Sequence, residues 1–323
     1  MNSPAELKDL FEGHLAEVRE QASWKGKLYA PMSYILNLGG KRVRPLVLLL
    51  AYQSLGGKVS KALNAAAAVE LFHNFTLMHD DIMDRAPMRR GQATVHQKWD
   101  ENVAILAGDT MFAIATQYLM KDFPECAGPL VTEFMRISVG VCEGQMADME
   151  LAGKESASIG EYIEMIRKKT AMLIGGSMSL GAIAAGADMD AVKAMYAYGE
   201  AAGIGFQLQD DYLDVYAASP KFGKQLAGDI LENKMTFLLI RALEKANSQQ
   251  SKALEQLLHA EQDDQRKIAG VKAIYEELGI RAETREQISA YFEQASIRGA
   301  HLKAYPGFAQ IDQFFQALMQ RDY

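Results

Sequence analysis

The chain has 323 residues, 49% of them hydrophobic and 23% charged, the balance of a soluble globular protein able to bury a large core. Its 34 basic and 41 acidic residues leave a formal net charge of −7, which disfavours nucleic acid as the main partner, because phosphate-backbone binders carry a basic footprint. Two cysteines, Cys126 and Cys142, make no disulfide framework and fit no metal-ligand spacing, so they read as buried thiols of a reducing compartment.

The first ten residues carry charges and no apolar signal core. The most apolar stretches, such as residues 45–52, are too short to span a bilayer. A cytoplasmic protein with no integral membrane segment is expected. Ala, Leu, Met, Glu and Lys dominate long segments, while β-branched alternation and Asn-Gly or Asp-Gly turns are scarce. In chain order, helices are predicted over about 4–22, 45–55, 60–84, 102–120, 130–151, 159–186, 189–216 and 229–246, with two or more in the remainder. Glycine and proline fall at the ends of these segments, and no low-complexity linker divides them. The expectation is an all-α protein, a single domain over residues 1–323 built as one large bundle of roughly ten or more helices. Runs of small residues, Ala65-Ala66-Ala67-Ala68 and Gly181-Ala182-Ile183-Ala184-Ala185-Gly186, fit either tight helix packing or an apolar channel between helices.

The segment Gly39-Gly40-Lys41-Arg42-Val43-Arg44-Pro45 puts three cations at a helix start, with Pro45 in the first turn. Cations there oppose the positive end of the helix dipole, and an anion held by free amides, Lys41 and Arg44 would relieve the conflict. A solvated basic turn is the alternative. The helix over 60–84 ends in His79-Asp80-Asp81-Ile82-Met83-Asp84. At about 100° per residue, Asp80, Asp81 and Asp84 share an arc of roughly 100°, and Pro87 closes the helix soon after. Three carboxylates at a helix C-terminus oppose its dipole and repel one another. Something positive must compensate.

The arrangement recurs at Gln209-Asp210-Asp211-Tyr212-Leu213-Asp214, again after an apolar, small-residue helix and before a proline, Pro220. One Asp-Asp-x-x-Asp is a weak signal, but two in matching context point to magnesium. That ion favours hard oxygens, and waters and substrate phosphate oxygens complete its shell. A calcium EF-hand is excluded, because the ligands are not spread along a loop with a central glycine. Basic residues follow each triplet: Arg89 and Arg90 after the first, Lys221, Lys224 and Lys234 after the second. Carboxylates for metal and Arg or Lys for outer oxygens are the layout of a metal-bridged diphosphate site. His73, on the same helix two turns before the first triplet, reads by itself as a core histidine.

Together these segments resemble the trans-prenyl diphosphate synthases, the class I isoprenoid synthase group that includes farnesyl and geranylgeranyl diphosphate synthases. The similarity runs over about 29–239 and is carried by the segments above with Glu70-Leu71-Phe72-His73, Arg89-Arg90-Gly91, Leu106-Ala107-Gly108-Asp109, Lys169-Thr170, Phe206-Gln207, Gly223-Lys224 and Lys234. One departure is Leu238, where the family often has proline.

The resemblance implies a helical bundle around a central apolar cavity, a homodimer, and about three magnesium ions per active site. It implies that Asp80, Asp84 and Asp210 bind magnesium directly, with Asp81, Asp211 and Asp214 assisting. Lys41, Arg44, His73 and Arg90 would hold isopentenyl diphosphate. Arg89, Lys169, Lys224 and Lys234 would hold the allylic diphosphate, with Thr170 and Gln207 lining the reacting carbon. The implied reaction is head-to-tail (1'-4) condensation, the departing pyrophosphate taking the proton. In the family an aromatic residue at the position of Phe75 is the floor that stops the growing tail; Phe75 lies about 7.5 Å down the helix from Asp80. Phe72 lies a turn deeper, Thr76 is not aromatic, and the first triplet carries no insertion. That combination resembles geranylgeranyl-forming enzymes, farnesyl diphosphate being the alternative product. A terpene cyclase would usually carry an Asn/Ser/Glu-type second motif, and a non-catalytic partner subunit would tend to lose a triplet.

Overall fold

The computed structural model describes residues 1–20, 25–217 and 227–320. The protein is all-α, as expected. The helices are α1 (Pro4–Arg19), α2 (Tyr29–Asn37), α3 (Val43–Ser54), α4 (Leu63–Met83), α5 (Val95–Lys98), α6 (Glu101–Met120), α7 (Ala127–Ala152) and α8 (Ile159–Ile166). They continue with α9 (Met172–Ala184), α10 (Met189–Tyr216), α11 (Gly228–Leu231), α12 (Phe237–Lys245), α13 (Ser248–His259), α14 (Asp264–Glu277), α15 (Ile280–Arg298) and α16 (Phe308–Met319). Local chemistry sets several starts. Ser3 with Glu6, Ser158 with Glu161, and Asn247 with Gln250 form reciprocal capping boxes at α1, α8 and α13, each satisfying amide donors that the first turn leaves open.

Three departures from the predicted elements bear on the site. The helix predicted over 159–186 is interrupted at Arg167–Ala171 by a π-helical turn. The helix predicted over 229–246 is two, α11 and α12, because Asn233 takes a left-handed φ of 53° and breaks the ladder. Strands β1 (Met88–Arg89) and β2 (Gln92–Ala93) pair antiparallel. Arg90 and Gly91 at their tip both have positive φ, 52° and 75°, the handedness of a tight two-residue hairpin.

The chain forms two compact units. The first comprises Met1–Ile137, Ile174–Tyr196 and Gly299–Phe314. In it α6 runs along α4, burying Ala104, Ala107, Gly108, Met111 and Ala115 at the 3–4 spacing of one helix face. By length and composition α6 is apolar enough to cross a membrane, which the reading of residues 45–52 as the most apolar stretch did not anticipate. Its buried stripe against α4 accounts for much of that character, and Asp109, largely exposed, interrupts the rest. The small-residue runs serve close packing: Ala65 to Ala68 are buried, and a Cβ at Gly181 would stand 2.4 Å from the Leu48 carbonyl oxygen and 3.1 Å from Ala51 Cβ.

The second unit comprises Ser138–Leu173, Ala197–Arg298 and Phe315–Tyr323. One apolar cluster joins Tyr162, Ile166, Ile204, Leu208 and Phe237. A second joins Val215, Ile230, Leu238, Leu254, Val271 and Tyr275, each full burial contributing about 1.5–3 kcal/mol. Leu238 is therefore core. Of the two cysteines expected to be buried, Cys126 is only partly so and Cys142 is exposed, because Cys142 lies on the outward face of α7 with Val139 and Met146.

Candidate active site

In the first unit the start of α3 is set by Arg42, whose backbone is left-handed (φ 54°) and whose side chain is 4% exposed. Its guanidinium donates to Glu12 Oε1 at 2.9 Å, Glu70 Oε1 at 2.6 Å and the Leu36 carbonyl at 3.0 Å. Glu70 also accepts from Asn74 Nδ2 at 3.0 Å. A planar fork bonded to α1, α2 and α4 pins the loop, with Lys41 exposed and Arg44 half-buried on either side. Arg44 Nη1 lies 3.2 Å from His73 Nε2. Arginine only donates, so His73 accepts at Nε2 and carries its proton on Nδ1. Burial, then the charges of Arg44, Arg90 and Arg89, hold His73 well below its ordinary value; it is neutral at physiological pH.

α4 ends on the first triplet. Asp84 is the C-cap and Arg85 is left-handed at φ 51°. The Arg85 amide donates to the Ile82 carbonyl, and the Ala86 amide donates to the Asp81 carbonyl. This closure satisfies the last carbonyls and turns the chain into the hairpin. The compensating cation is Arg89. Its Nε lies 2.9 and 2.8 Å from the two Asp81 oxygens and its Nη2 2.7 Å from Oδ1, with Asp81 2% exposed. Arg90, at the hairpin tip, donates to the Gly39 carbonyl. Burial pulls Arg90 down, against the raising charge of Glu70. Lys41, Arg44, His73, Arg89 and Arg90 thus gather in one basic region of this unit, beside the helix that ends in Asp80 and Asp84.

Below the triplet, Phe75 stacks on Phe112 of α6 (5.5 Å, 15°) and meets His79 edge-on at 4.7 Å. Phe72 touches Phe75, Phe112 and Phe134 at 5.5, 5.6 and 5.2 Å. Gly108 lets α6 approach, since a Cβ there would stand 2.4 Å from His79 Nε2. Thr76 donates to the His73 carbonyl.

In the second unit α10 ends on the other triplet. Asp211 is buried; its Oδ2 accepts from the Tyr162 hydroxyl at 2.5 Å and its Oδ1 from Gln207 Nε2 at 2.8 Å. Burial and the charge of Asp229 push Asp211 up to about 7. Gln207 Oε1 accepts from the Thr170 hydroxyl at 2.9 Å. Asp214 Oδ2 accepts from the Asp229 amide at 3.0 Å, capping α11 in the manner of an N-terminal carboxylate. Lys169, on the π turn, donates to Asp148 Oδ2 at 2.6 Å. Lys234 lies 3.9 Å from Asp229; against burial, the charges of Asp229, Asp211 and Asp148 raise it above the usual lysine range. Lys272 of α14 donates to the Val215 carbonyl at 2.8 Å, supplying a cation to the C-terminus of α10. Lys221, Gly223 and Lys224 lie outside the described residues.

Each unit thus brings together its share of the expected residues. The middle aspartates, Asp81 and Asp211, are turned inward onto protein donors. Among the described residues no three acidic, His or Cys side chains form a ready metal cage. This donor set fits magnesium, which takes one or two carboxylates and shares the rest of its shell with water and phosphate. Sequence reasoning missed Glu70, Phe112, Asp148, Tyr162, Asp229 and Lys272. Of these only Glu70 lay in a matching segment; the others belong to no repeated motif.

A family model described as polyprenyl synthetase matches residues 25–278. Geranylgeranyl pyrophosphate synthase of Geoglobus acetivorans is 46% identical over 220 residues, 68% of this chain and 69% of the relative. Geranylgeranyl diphosphate synthase of Methanosarcina mazei is 42% identical over 221 residues, 68% of each chain. A crystal structure of geranylgeranyl pyrophosphate synthase superposes with a TM-score of 0.93 at 37% identity, covering 100% of both chains. By the family model and these relatives, the chain belongs to the polyprenyl synthetase family.

Proposed function

We propose that this chain is a magnesium-dependent prenyltransferase that joins isopentenyl diphosphate to an allylic diphosphate head to tail, giving geranylgeranyl diphosphate. The observation that carries the reading is the pairing of each helix-terminal aspartate triplet with folded-back cations: Arg89 on Asp81, and Lys234 near Asp229 and Asp211. The relatives named above support the product class.

In this reading Asp80, Asp84 and Asp210 would hold magnesium directly. Asp81 and Asp211 steady the helix ends through Arg89, Tyr162 and Gln207, and Asp214 through the Asp229 amide. Magnesium, when bound, supplies Lewis acidity to the departing pyrophosphate. Lys169, Lys224, Lys234 and Arg89 bind the outer oxygens of the allylic diphosphate, and Lys41, Arg44, Arg90 and neutral His73 bind isopentenyl diphosphate. Thr170 and Gln207 turn oxygen atoms toward the carbon that becomes positive as the diphosphate leaves. The double bond of isopentenyl diphosphate attacks that carbon, the new carbon–carbon bond forms, and the released pyrophosphate takes the proton. Phe75, braced by Phe112, stops the tail.

The reading treats residues 1–323 as one catalytic domain of a cytoplasmic homodimer. Ile105 and Leu106 on α6, and Val139, Met146 and Met149 on α7, are exposed apolar side chains, and such faces suit contact with a second copy. The test is incubation with magnesium, isopentenyl diphosphate and each allylic primer in turn, with sizing of the products. A C20 product is expected, lengthened in Phe75→Ala. A C15 end product would favour farnesyl diphosphate synthesis, cyclised hydrocarbon would favour a terpene cyclase, and an unchanged product from Phe75→Ala would remove Phe75 as the floor.

A further inference from the structure

We propose that Tyr162 is a positioning residue for the transfer step, fixing through Asp211 the direction in which the Gln207 amide faces Thr170. The inference rests on the reading that Thr170 and Gln207 line the reacting carbon. Tyr162 stands on α8, 1% exposed, and its hydroxyl donates to Asp211 Oδ2 at 2.5 Å. Gln207 and Asp211 are one turn apart on α10, with Gln207 Nε2 donating to Oδ1 at 2.8 Å. Gln207 Oε1 in turn accepts from Thr170 Oγ1 at 2.9 Å.

The direction of every bond in this chain follows from Asp211. Both of its oxygens accept, Oδ2 from the Tyr162 hydroxyl and Oδ1 from the Gln207 amide. With one oxygen held by the phenol, the other is fixed beside Gln207, which must present its NH2 group. A reversed amide would set oxygen against oxygen inside the protein, leaving buried groups unsatisfied. Oε1 therefore faces the π turn, and the single proton of Thr170 is committed to it. What remains on Thr170 Oγ1 and Gln207 Oε1 is lone pairs alone. Two oxygens with fixed negative dipole ends stabilise positive charge developing on a nearby carbon without reorganising during the reaction. Phenylalanine at 162 would fill the same space but free one Asp211 oxygen, and the amide would lose its enforced orientation.

The experiment is a double-mutant cycle in the full-length chain, using Tyr162→Phe, Gln207→Leu and the pair, with kcat and KM measured for both substrates. Tyr162→Phe is expected to lower kcat about 10- to 100-fold, the usual cost of removing a supporting partner behind an active group, with each KM within about two-fold. On the Gln207→Leu background the same change should alter kcat by less than about two-fold, because its target is gone. An equal loss with and without Gln207 would assign Tyr162 a merely structural role and overturn the proposal. Wild-type kcat in Gln207→Leu would instead remove the reading of Gln207 on which it rests. A second measurement needs no turnover. The Gln207 side-chain amide, followed by NMR hydrogen exchange in the ligand-free wild type, should be strongly protected. Exchange at the rate of an exposed amide overturns the proposal, whether or not Tyr162→Phe folds.

Discussion

Arg42 and its neighbours Lys41 and Arg44 look interchangeable in the sequence, three cations in a row before a proline. Burial sorts them. Arg42 is bonded to Glu12, Glu70 and the Leu36 carbonyl, and in the proposed reading it leaves the diphosphate to the other two. Arg42→Met would strand Glu70 as a buried, uncompensated carboxylate and should destabilise the protein by about 3–5 kcal/mol, because breaking one side of a buried pair costs more than the pair contributes. Equilibrium urea unfolding measures this, and adding Glu70→Gln should restore part of the loss. The same logic separates the aspartates. Spacing alone made Asp80, Asp81 and Asp84 equivalent, yet Asp81 is committed to Arg89 and Asp211 to Tyr162 and Gln207. Residue types and their spacing were legible because the site's charges sit at fixed helical intervals. Which charge faces inward was not, because burial depends on partners such as Glu70, Tyr162 and Asp148 that lie 21 to 49 residues away along the chain.

Among the elements, the π turn at Arg167–Ala171 adds a residue to one helical turn and re-aims Lys169 and Thr170, and such turns gather at functional positions. It is held closely on two sides. A Cβ at Gly144 would stand 2.2 Å from the Lys169 backbone nitrogen, and one at Gly203 would stand 2.8 Å from Ala171 Cα. Neither position can accept a methyl without moving backbone. Gly144→Ala should displace Lys169 and lower kcat/KM for the allylic substrate at least about ten-fold, since misplacements of about 1 Å in active sites cost up to two orders of magnitude. Steady-state kinetics with circular dichroism would check it, and wild-type kinetics would show that the turn's position is immaterial. Long helices were legible from composition and punctuation, with the bounds of α10 and the end of α6 matching residue for residue. The π turn was not, because Lys168-Lys169-Thr170 has the composition of an ordinary helix and its extra residue is imposed by tertiary packing. The hairpin was also hidden: its tip is Arg90-Gly91 rather than Asn-Gly, so a cation occupies a left-handed position that the usual turn residues would fill.

At the scale of the whole molecule, a chain with a net charge of −7 is asked to hold two diphosphates. In the proposed reading it does so by concentrating cations locally, which bulk charge could not reveal but the repeated order of acid and base could. The fold class followed from composition, since nothing else in the chain competes with helix. In the proposed reading product length rests on the Phe75–Phe112 stack, of which only Phe75 was visible from its distance to Asp80; Phe112 lies on another helix. The central claim is that both aspartate triplets act in the same transfer. The most direct measurement is the transferase activity, under saturating magnesium, of Asp80→Ala and Asp210→Ala, each verified as folded by circular dichroism. Each is expected to lose at least about 100-fold in kcat, the scale of a lost charge-stabilising group; wild-type turnover in either one would contradict the account.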